Sequence, residues 1–335
     1  MTDPLRVAVV GLGAMGANHA RVYREIAAAQ LVATADLEPG RSIADVPHFD
    51  DYRDMLENMR PAAVSVCVPT RAHFVVAAPF IEQGTAVLVE KPLAATIEEG
   101  ERLRDLAEAA RVPLAVGHIE RFNPAVIELK RRLAAGELGR VYQVHARRVG
   151  PFPQRVRDVG VVLDLAPHDI DVMRFLLESD VVRVQAETER RLATEHEDML
   201  SGVVRFSNGV VGVLDVNWLT PTKIRELSVL GERGMFVVDY LSRSLTFFEN
   251  SAAPAPSGDL AWASRHEKGV TEGKRVEIRV EKREPLRSEL EAFVSAARGE
   301  TPVAVTADDG LAAMRAAAAL IEAAAVGAPV EVARA

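Results

Sequence analysis

The sequence predicts an α/β chain of two domains: a doubly wound parallel sheet over residues 1–118, then an α+β domain with a large, mostly antiparallel sheet over residues 119–335. Three observations carry this. A length of 335 residues, at about 150 per domain, fits two. In the first third, short β-branched runs alternate with helical patterns, the rhythm of a parallel sheet covered on both faces. Beyond residue 141 strands succeed one another across tight turns, which makes an antiparallel sheet.

Leu5–Val10, apolar except for Arg6, reads as the first strand, and Ala14–Ala29 as a helix. Leu31–Ala35, Ala62–Val68, Ala86–Val89 and Leu114–Val116 are the next strands, with helices at Ala72–Gln83 and Ile97–Ala110. Thr96, three residues before Glu99, forms a capping box that starts the second of these. Between Asp36 and Ala62 the chain includes Pro39, Gly40 and Pro47, so only a short helix near Ser42–Val46 is expected there, with another over Asp51–Met59. Asn123-Pro124 reads as an N-cap and first helical residue of a helix running to about Ala135.

Past that point Val141–Val149 alternates and Val161–Leu177 is one long helix. Strands follow at Val181–Thr188, Leu200–Phe206, Val210–Trp218, Arg225–Leu230 and Met235–Tyr240. Asn208-Gly209 is a two-residue hairpin signal and Gly231–Gly234 a second turn. Asn250–Lys274, which contains SAAPAPSG, reads as a mobile loop. Helices near Pro285–Arg298 and Ala307–Val326 and a short strand at Val330–Val332 end the reading.

Hydrophobic residues at 48% and charged residues at 26% suffice for two cores without disulfides. Forty basic against 48 acidic side chains give a net charge of −8, which argues against general attraction to nucleic acid or anionic membrane. One cysteine, Cys67, excludes an internal disulfide framework and a Cys-rich zinc site, and fits a reducing, cytoplasmic compartment. The opening MTDPLR lacks a basic n-region, and no run of 18 apolar residues occurs, so neither signal peptide nor transmembrane helix is expected.

Gly11-Leu12-Gly13-Ala14-Met15-Gly16 is G-x-G-x-x-G between a buried strand and a helix. Its glycines allow a tight turn, approach of backbone to a pyrophosphate, and close helix–strand packing. The helix N-terminus then meets phosphate with its N–H groups. Asp36 ends the second strand 20 residues after Gly16, where a carboxylate accepts hydrogen bonds from an adenosine ribose. It would repel a 2′-phosphate, so NAD is favoured over NADP, although Arg41 stands nearby. Strand, turn, helix and acid together outweigh the bland alternative of a tight turn with a surface Asp.

Glu90-Lys91-Pro92 follows the strand Ala86–Val89, at the carboxyl end where open parallel sheets bind ligands. A lysine in a partly dry cleft there can stabilise a developing alkoxide. Three residues alone fit a surface lysine in a turn equally well. Asp164 and His168 are i and i+4 on the long helix, so histidine can take a proton and the carboxylate can orient it. Pro167 loosens that turn. A solvated Asp/His pair is the alternative, but Leu163, Leu165, Ile170, Val172 and Met173 make the helix apolar nearly all round. No metal site is expected, because His168, Asp169 and Asp171 have no second histidine at ligand spacing.

These residues resemble the glucose–fructose oxidoreductase / inositol dehydrogenase / MocA dehydrogenases over essentially the whole chain. The likeness rests on AVVGLGAMGANHA, VCVPTRAH, VEKPLA, GHIERFNP, DLAPHDID, RFSNGVVGVLDVNW and GERG. It implies a Rossmann domain followed by an open-faced sheet domain that makes a homodimer or homotetramer, with the active site where nicotinamide meets a sugar or cyclitol. It implies catalytic roles for Lys91, Asp164 and His168. It places Gly11, Gly13, Ala14, Met15, Gly16, Asp36, Thr70, His73, Glu90 and Lys91 along the cofactor. For His73, and for His19, packing is an equal or better reading. His118 stands where many relatives carry Tyr or Phe.

Arg147, Arg148, Arg155 and Arg157 put four guanidinium groups just ahead of the helix bearing His168, and Arg forks suit diphosphate oxygens. Salt bridges to neighbouring acids or to a partner subunit are the even alternative. GHIERFNPA, RRVGPF and RDVGVVLDLAPHDIDVMRFL are similar to the UDP-N-acetylglucosamine 3-dehydrogenase branch of the family. The expected activity is therefore NAD-dependent oxidation of a secondary hydroxyl at C3 of a UDP-N-acetylhexosamine. Arg121, Asn123, Arg155, Arg157 and His168 are the expected substrate contacts. A free sugar or cyclitol is the alternative substrate. A non-catalytic NAD-binding sensor or scaffold is the alternative of another class, opposed by the presence of Lys91, Asp164 and His168.

Overall fold

A computed structural model describes residues 3–153, 160–192, 195–252 and 270–333. It has two compact units: Met1–Phe122 with Arg283–Ala317 and Ala333–Ala335, and Asn123–Lys282 with Ala318–Val332. The chain leaves the first unit a few residues beyond the expected division at 118, and later returns to it. Nothing in the local pattern announced the return.

The first unit holds a six-stranded sheet. Its strands are β1 (Leu5–Val10), β2 (Ala29–Ala35), β3 (His48–Phe49), β4 (Ala63–Val66), β5 (Ala86–Glu90) and β6 (Leu114–Gly117). The order is β3-β2-β1-β4-β5-β6 and every pairing is parallel. This is the doubly wound order of dinucleotide-binding domains. The helices are α1 (Ala14–Glu25), α2 (Tyr52–Met59), α3 (His73–Glu82) and α4 (Ile97–Ala110). The helix expected to run from Ala14 to Ala29 stops earlier because Ile26 turns extended, leading directly into β2.

Both sheet faces need apolar cover. On one, Met55, Leu56, Phe80, Ile81 and Leu103 of α2, α3 and α4 pack on Ala8, Val10, Val64 and Val87. On the other, α1 supplies Ala20, Val22 and Tyr23 but leaves Leu88 and Ala115 to be covered by another element. α7 (Pro285–Ala297) does this with Leu286, Leu290, Phe293 and Val294, spaced i, i+4, i+7 and i+8. That stripe is why the C-terminal segment returns.

Thr96 caps α4 as the sequence implied, its Oγ1 accepting from the Glu99 N–H at 3.2 Å. Asp51, expected inside its helix, is the N-cap of α2, its Oδ1 accepting from the Arg53 N–H at 2.8 Å. The expected helix at Ser42–Val46 is absent. Asp45 takes φ 63° and Pro47 follows Val46, so the segment passes from β2 to the edge strand β3 as turns alone.

The second unit holds α5 (Pro124–Ala134), α6 (Val161–Leu177) and a nine-stranded sheet. Its strands are β7 (Val141–Pro151), β8 (Val181–Glu189), β9 (Met199–Phe206), β10 (Val211–Asn217), β11 (Leu219–Gly231), β12 (Gly234–Asp239), β13 (Ser244–Ala252), β14 (Val270–Ile278) and β15 (Val330–Glu331). The order is β14-β13-β12-β11-β7-β10-β9-β8-β15. Every neighbouring pair is antiparallel except β7 with β10. Gly209 turns the β9–β10 hairpin at φ 88°.

Asn250–Lys274, expected to be a loop, is strand at both ends, since β13 and β14 pair there through backbone. Its middle, residues 253–269, lies outside the described residues. Along β9 buried and exposed residues alternate, so one sheet face is covered and the other is open. Among the described residues no helix is long and apolar enough to cross a membrane.

α6 starts at Gly160, where a Cβ would lie 2.0 Å from Glu197 Oε1. The Glu197 carboxylate accepts from the Val162 N–H at 3.2 Å, and its backbone carbonyl accepts from the Val161 N–H at 2.9 Å. An acid at a helix N-terminus is favourable. The body of α6 is tied to β7 by Arg148, whose Nε and Nη2 donate to the Asp169 carboxylate at 2.7 and 3.0 Å, both side chains buried. The guanidinium lies 5.1 Å from the Tyr240 ring centroid. Removing one member strands a buried charge. Arg148→Met should therefore cost about 3–5 kcal/mol in urea unfolding. A loss below about 1 kcal/mol would show that the pair does not pin the helix.

Candidate active site

The turn after β1 has a separate demand on each glycine. Gly11 sits at φ 86°, and a Cβ there would lie 2.7 Å from the Cys67 carbonyl oxygen. A Cβ on Gly16 would lie 1.7 Å from the Gly11 carbonyl oxygen. Gly13 is different: nothing stands within 4 Å of its missing Cβ. Two glycines are therefore fixed by packing, and the third leaves open space at the helix N-terminus. α1 has no side-chain cap and no acid in its first turn, so its first amides face that space ready for an anion. Ala14 is exposed there and Met15 half-buried, packed on the α1 core.

Asp36 continues from β2. Its Oδ2 accepts from the Leu12 N–H at 2.5 Å and its Oδ1 from the Glu38 N–H at 2.8 Å. A carboxylate offers about four lone-pair positions, so acceptor capacity remains for a diol. Arg41 lies 3.6 Å from Asp36 and 2.8 Å from Glu38.

Beyond β4, Thr70 opens a short 3-10 turn, Thr70–Ala72, that leads into α3. His73 is 1% exposed, with Nδ1 2.8 Å from the Pro92 carbonyl oxygen and Nε2 2.9 Å from that of Val68. Both ring nitrogens face backbone, so His73 braces two turns, as its packing reading expects. Burial pushes its pKa below the ordinary histidine value.

Beyond β5, Lys91 is half-buried and the Lys91–Pro92 peptide is cis. Glu90 Oε1 lies 2.9 Å from Nε2 of the fully buried His19. Cys67 joins these two, with its sulfur and their ligand atoms all within 4.8 Å of one another. Burial, and then the charges of Glu90 and Glu289, push the Cys67 thiol well up. The group reads as a packed cluster below the E-K-P turn.

In the second unit, Asp164 and His168 are half-buried on α6, one turn apart, in a helix whose Val161, Val162, Ala166, Ile170 and Met173 are fully buried. Pro167 stands inside the helix between them.

Arg121, Asn123 and the arginines ahead of α6 have the following places. Arg121, expected at the substrate, is 8% exposed and holds Asp309 through Nη1 at 3.1 Å and Nη2 at 3.0 Å. Asn123 is 2% exposed: its Oδ1 caps α5 at the Ala125 N–H and its Nδ2 donates to the Tyr240 carbonyl. These bonds give both a structural role. Arg147 lies 3.4 Å from Asp215, and Arg148 is the partner of Asp169. Arg155 and Arg157 lie outside the described residues.

Comparison with known proteins now bears on this geometry. Residues 5–118 match the model for "Oxidoreductase family, NAD-binding Rossmann fold" and residues 126–237 that for "GFO/IDH/MocA C-terminal domain". Inositol 2-dehydrogenase 1 of Saccharopolyspora erythraea is 33% identical over 98% of this chain and 96% of its own. The chain belongs to the GFO/IDH/MocA oxidoreductase family. UDP-N-acetylglucosamine 3-dehydrogenase of Acidithiobacillus ferrooxidans is 28% identical over 95% of this chain and 96% of its own. A solved structure of that enzyme superposes with a TM-score of 0.82 at 27% identity, covering 96% of this chain and 98% of that one. Levoglucosan dehydrogenase in complex with NADH shares the fold, with a TM-score of 0.84 at 21% identity over 99% of this chain and 100% of that one.

This GFO/IDH/MocA chain is thus a dehydrogenase with an NAD-binding domain. The residues present fit that cofactor: an open position at Gly13, an uncapped helix end without an acid, and a carboxylate held at the end of β2. Sequence reasoning missed three contributors. Asp169 on an apolar helix signalled a need for a buried partner, and that partner is Arg148. Glu197 and the His19–Glu90 bond had no local signal.

The glycines give a two-sided test. Gly13→Ala should leave Tm unchanged but weaken NAD binding about tenfold or more, roughly 1.4 kcal/mol, by titration calorimetry. Gly16→Ala should lower Tm and NAD affinity together. Equal behaviour of the two variants would refute separate roles.

Proposed function

We propose that this dehydrogenase oxidises a secondary hydroxyl of a sugar, with C3 of a UDP-N-acetylhexosamine as the best-supported substrate position. The observation that carries the chemistry is α6: a histidine and a carboxylate one turn apart, half-buried on a mostly buried helix, in a chain that also keeps Lys91 after β5. His168 takes the hydroxyl proton, since imidazole is the base best matched to neutral pH. Asp164 orients His168 and supports its positive charge. Lys91 stabilises the alkoxide. Gly11, Gly13, Gly16 and Asp36 hold NAD, which when bound accepts the hydride. Thr70, on the turn after β4, and Glu90, at the end of β5, flank that position.

Lys91→Ala and His168→Ala should each lower kcat by about 100-fold or more while leaving the NAD Kd within about twofold. Near-normal turnover in either would end its assigned role.

For the substrate, full-length similarity to the UDP-N-acetylglucosamine enzyme supports the sugar nucleotide. The second reading, a free sugar or cyclitol, gains from the pairing of Arg147 and Arg148 with acids, which leaves Arg155 and Arg157 as the diphosphate candidates. NADH formation with UDP-N-acetylglucosamine, N-acetylglucosamine, glucose and myo-inositol separates them. Turnover of myo-inositol with none of the UDP-sugar would replace the first reading by the second.

We also propose that the open face of the nine-stranded sheet pairs with a second copy of the chain. Val203, Val213, His145, Ser228 and Val237 lie in register across five strands of that face, and Val203 is 48% exposed. Light scattering should give a dimer or tetramer that Val203→Arg weakens. A monomeric wild type would refute it.

A further inference from the structure

Lys91 lies in no helix or strand, and the residues on both sides of it are held by buried histidines. His19 on α1 places Nε2 2.9 Å from Glu90 Oε1, and His73 on α3 places Nδ1 2.8 Å from the Pro92 carbonyl oxygen. They grip the E-K-P turn on either side of the lysine.

We propose that His19 is a positioning residue for Lys91, acting through the Glu90 carboxylate. The inference rests on the reading of Lys91 as the group that stabilises the alkoxide. An ionised carboxylate only accepts hydrogen bonds, so the proton of His19 belongs on Nε2. His19 Nδ1 is buried with no hydrogen-bond partner, so the Nε2–H tautomer buries a bare acceptor, whereas the alternative tautomer buries a donor and faces a lone pair towards Glu90.

The ring is itself confined. His19 is 0% exposed and stands edge-on to Tyr23, centroids 6.4 Å apart, whose hydroxyl bonds Ser65 of β4 at 2.8 Å. Glu90 is confined too: a Cβ on Gly117 would lie 3.1 Å from its Cα and from Oε2. The carboxylate therefore has a fixed donor on one side and a neighbouring strand on the other. A lysine one residue further inherits that placement. Misplacing a reacting group by about 1 Å costs on the order of 100-fold in rate.

His19→Leu keeps bulk and removes the donor, while His19→Gln returns an N–H near the position of Nε2. In NADH formation with UDP-N-acetylglucosamine, or with myo-inositol if that is the substrate turned over, His19→Leu should lose about 10- to 100-fold in kcat with KM and NAD Kd within about twofold. His19→Gln should recover most of the loss.

A measurement independent of turnover accompanies this: 15N-histidine NMR of the full chain. The resonances missing from His19→Gln should report the Nε2–H tautomer in the wild type and should shift in Glu90→Gln. Wild-type kcat in His19→Leu, equal impairment in Leu and Gln variants, or an Nδ1–H tautomer would each overturn the proposal.

Lys91→Ala in the same assay separates the two levels. If it retains turnover, the reading of Lys91 falls and this proposal falls with it. If it is inactive while His19→Leu is normal, only the positioning role falls. Should His19→Leu fail to fold, the Gln variant and the tautomer decide.

Discussion

The constraint on which the first unit depends is that no side chain fits between the turns after β1 and β4. A Cβ on Gly11 would strike the backbone of Cys67, and one on Gly16 would strike Gly11 itself. β1 and β4 are neighbours at the point where strand order reverses, β2 lying on one side and β5 on the other. In such sheets the crevice for a ligand opens at that reversal. Because the two turns are pressed together, the N-terminus of α1, the carboxylate of Asp36 and the E-K-P turn converge on one end of one sheet. A bulkier residue at either glycine would move all three. Gly13, where space is open, is the exception that marks the ligand's side.

Buried polar pairs decide which polar side chains remain for chemistry. Arg121 with Asp309, Arg148 with Asp169 and His19 with Glu90 are each mostly or wholly removed from water. A charge so placed must be paired, because desolvation costs several kcal/mol per ion and only close geometry offsets it. These residues therefore hold elements together and do not reach outward. Asp164, His168 and Lys91, by contrast, are half-buried. Half-burial suits a proton-transfer group, which must meet a substrate yet sit where its basicity can be tuned.

Periodicity made most of the fold legible in the sequence. Val161–Leu177 and Ile97–Ala110 were delimited to the residue because a Gly or Thr start and a clear apolar pattern coincide there. Asn208-Gly209 gave its hairpin for the same local reason. What was not legible was non-local. β3 is two residues long, and β13 and β14 pair through an edge where backbone bonds matter more than apolar side chains. The return of α7 depends on an uncovered patch of sheet that no window of sequence displays. Spacing singled out the glycine turn, Asp36, Lys91, Asp164 and His168 as candidates. Arg121, Asn123 and His73 have partners that spacing does not display: each is a polar residue close in sequence to the motifs, bonded to a residue distant in sequence or to backbone.

The same logic bears on cofactor choice. A carboxylate at the end of β2 discriminates against a 2′-phosphate only if it cannot swing away. Asp36 is held by two backbone N–H groups, one from the glycine turn and one from Glu38, and its side chain is 7% exposed. Swinging out would abandon both bonds and leave the Leu12 N–H unsatisfied, at about 1–3 kcal/mol for a buried donor. Arg41, the residue best placed to welcome a phosphate, is shared between Asp36 and Glu38 and would have to leave both. The hydrogen bonds that fix this acid thus work against a 2′-phosphate beside it. The overall charge of −8 has no part in it, since an anion site at a helix terminus depends on local dipoles and on where nearby acids are tethered.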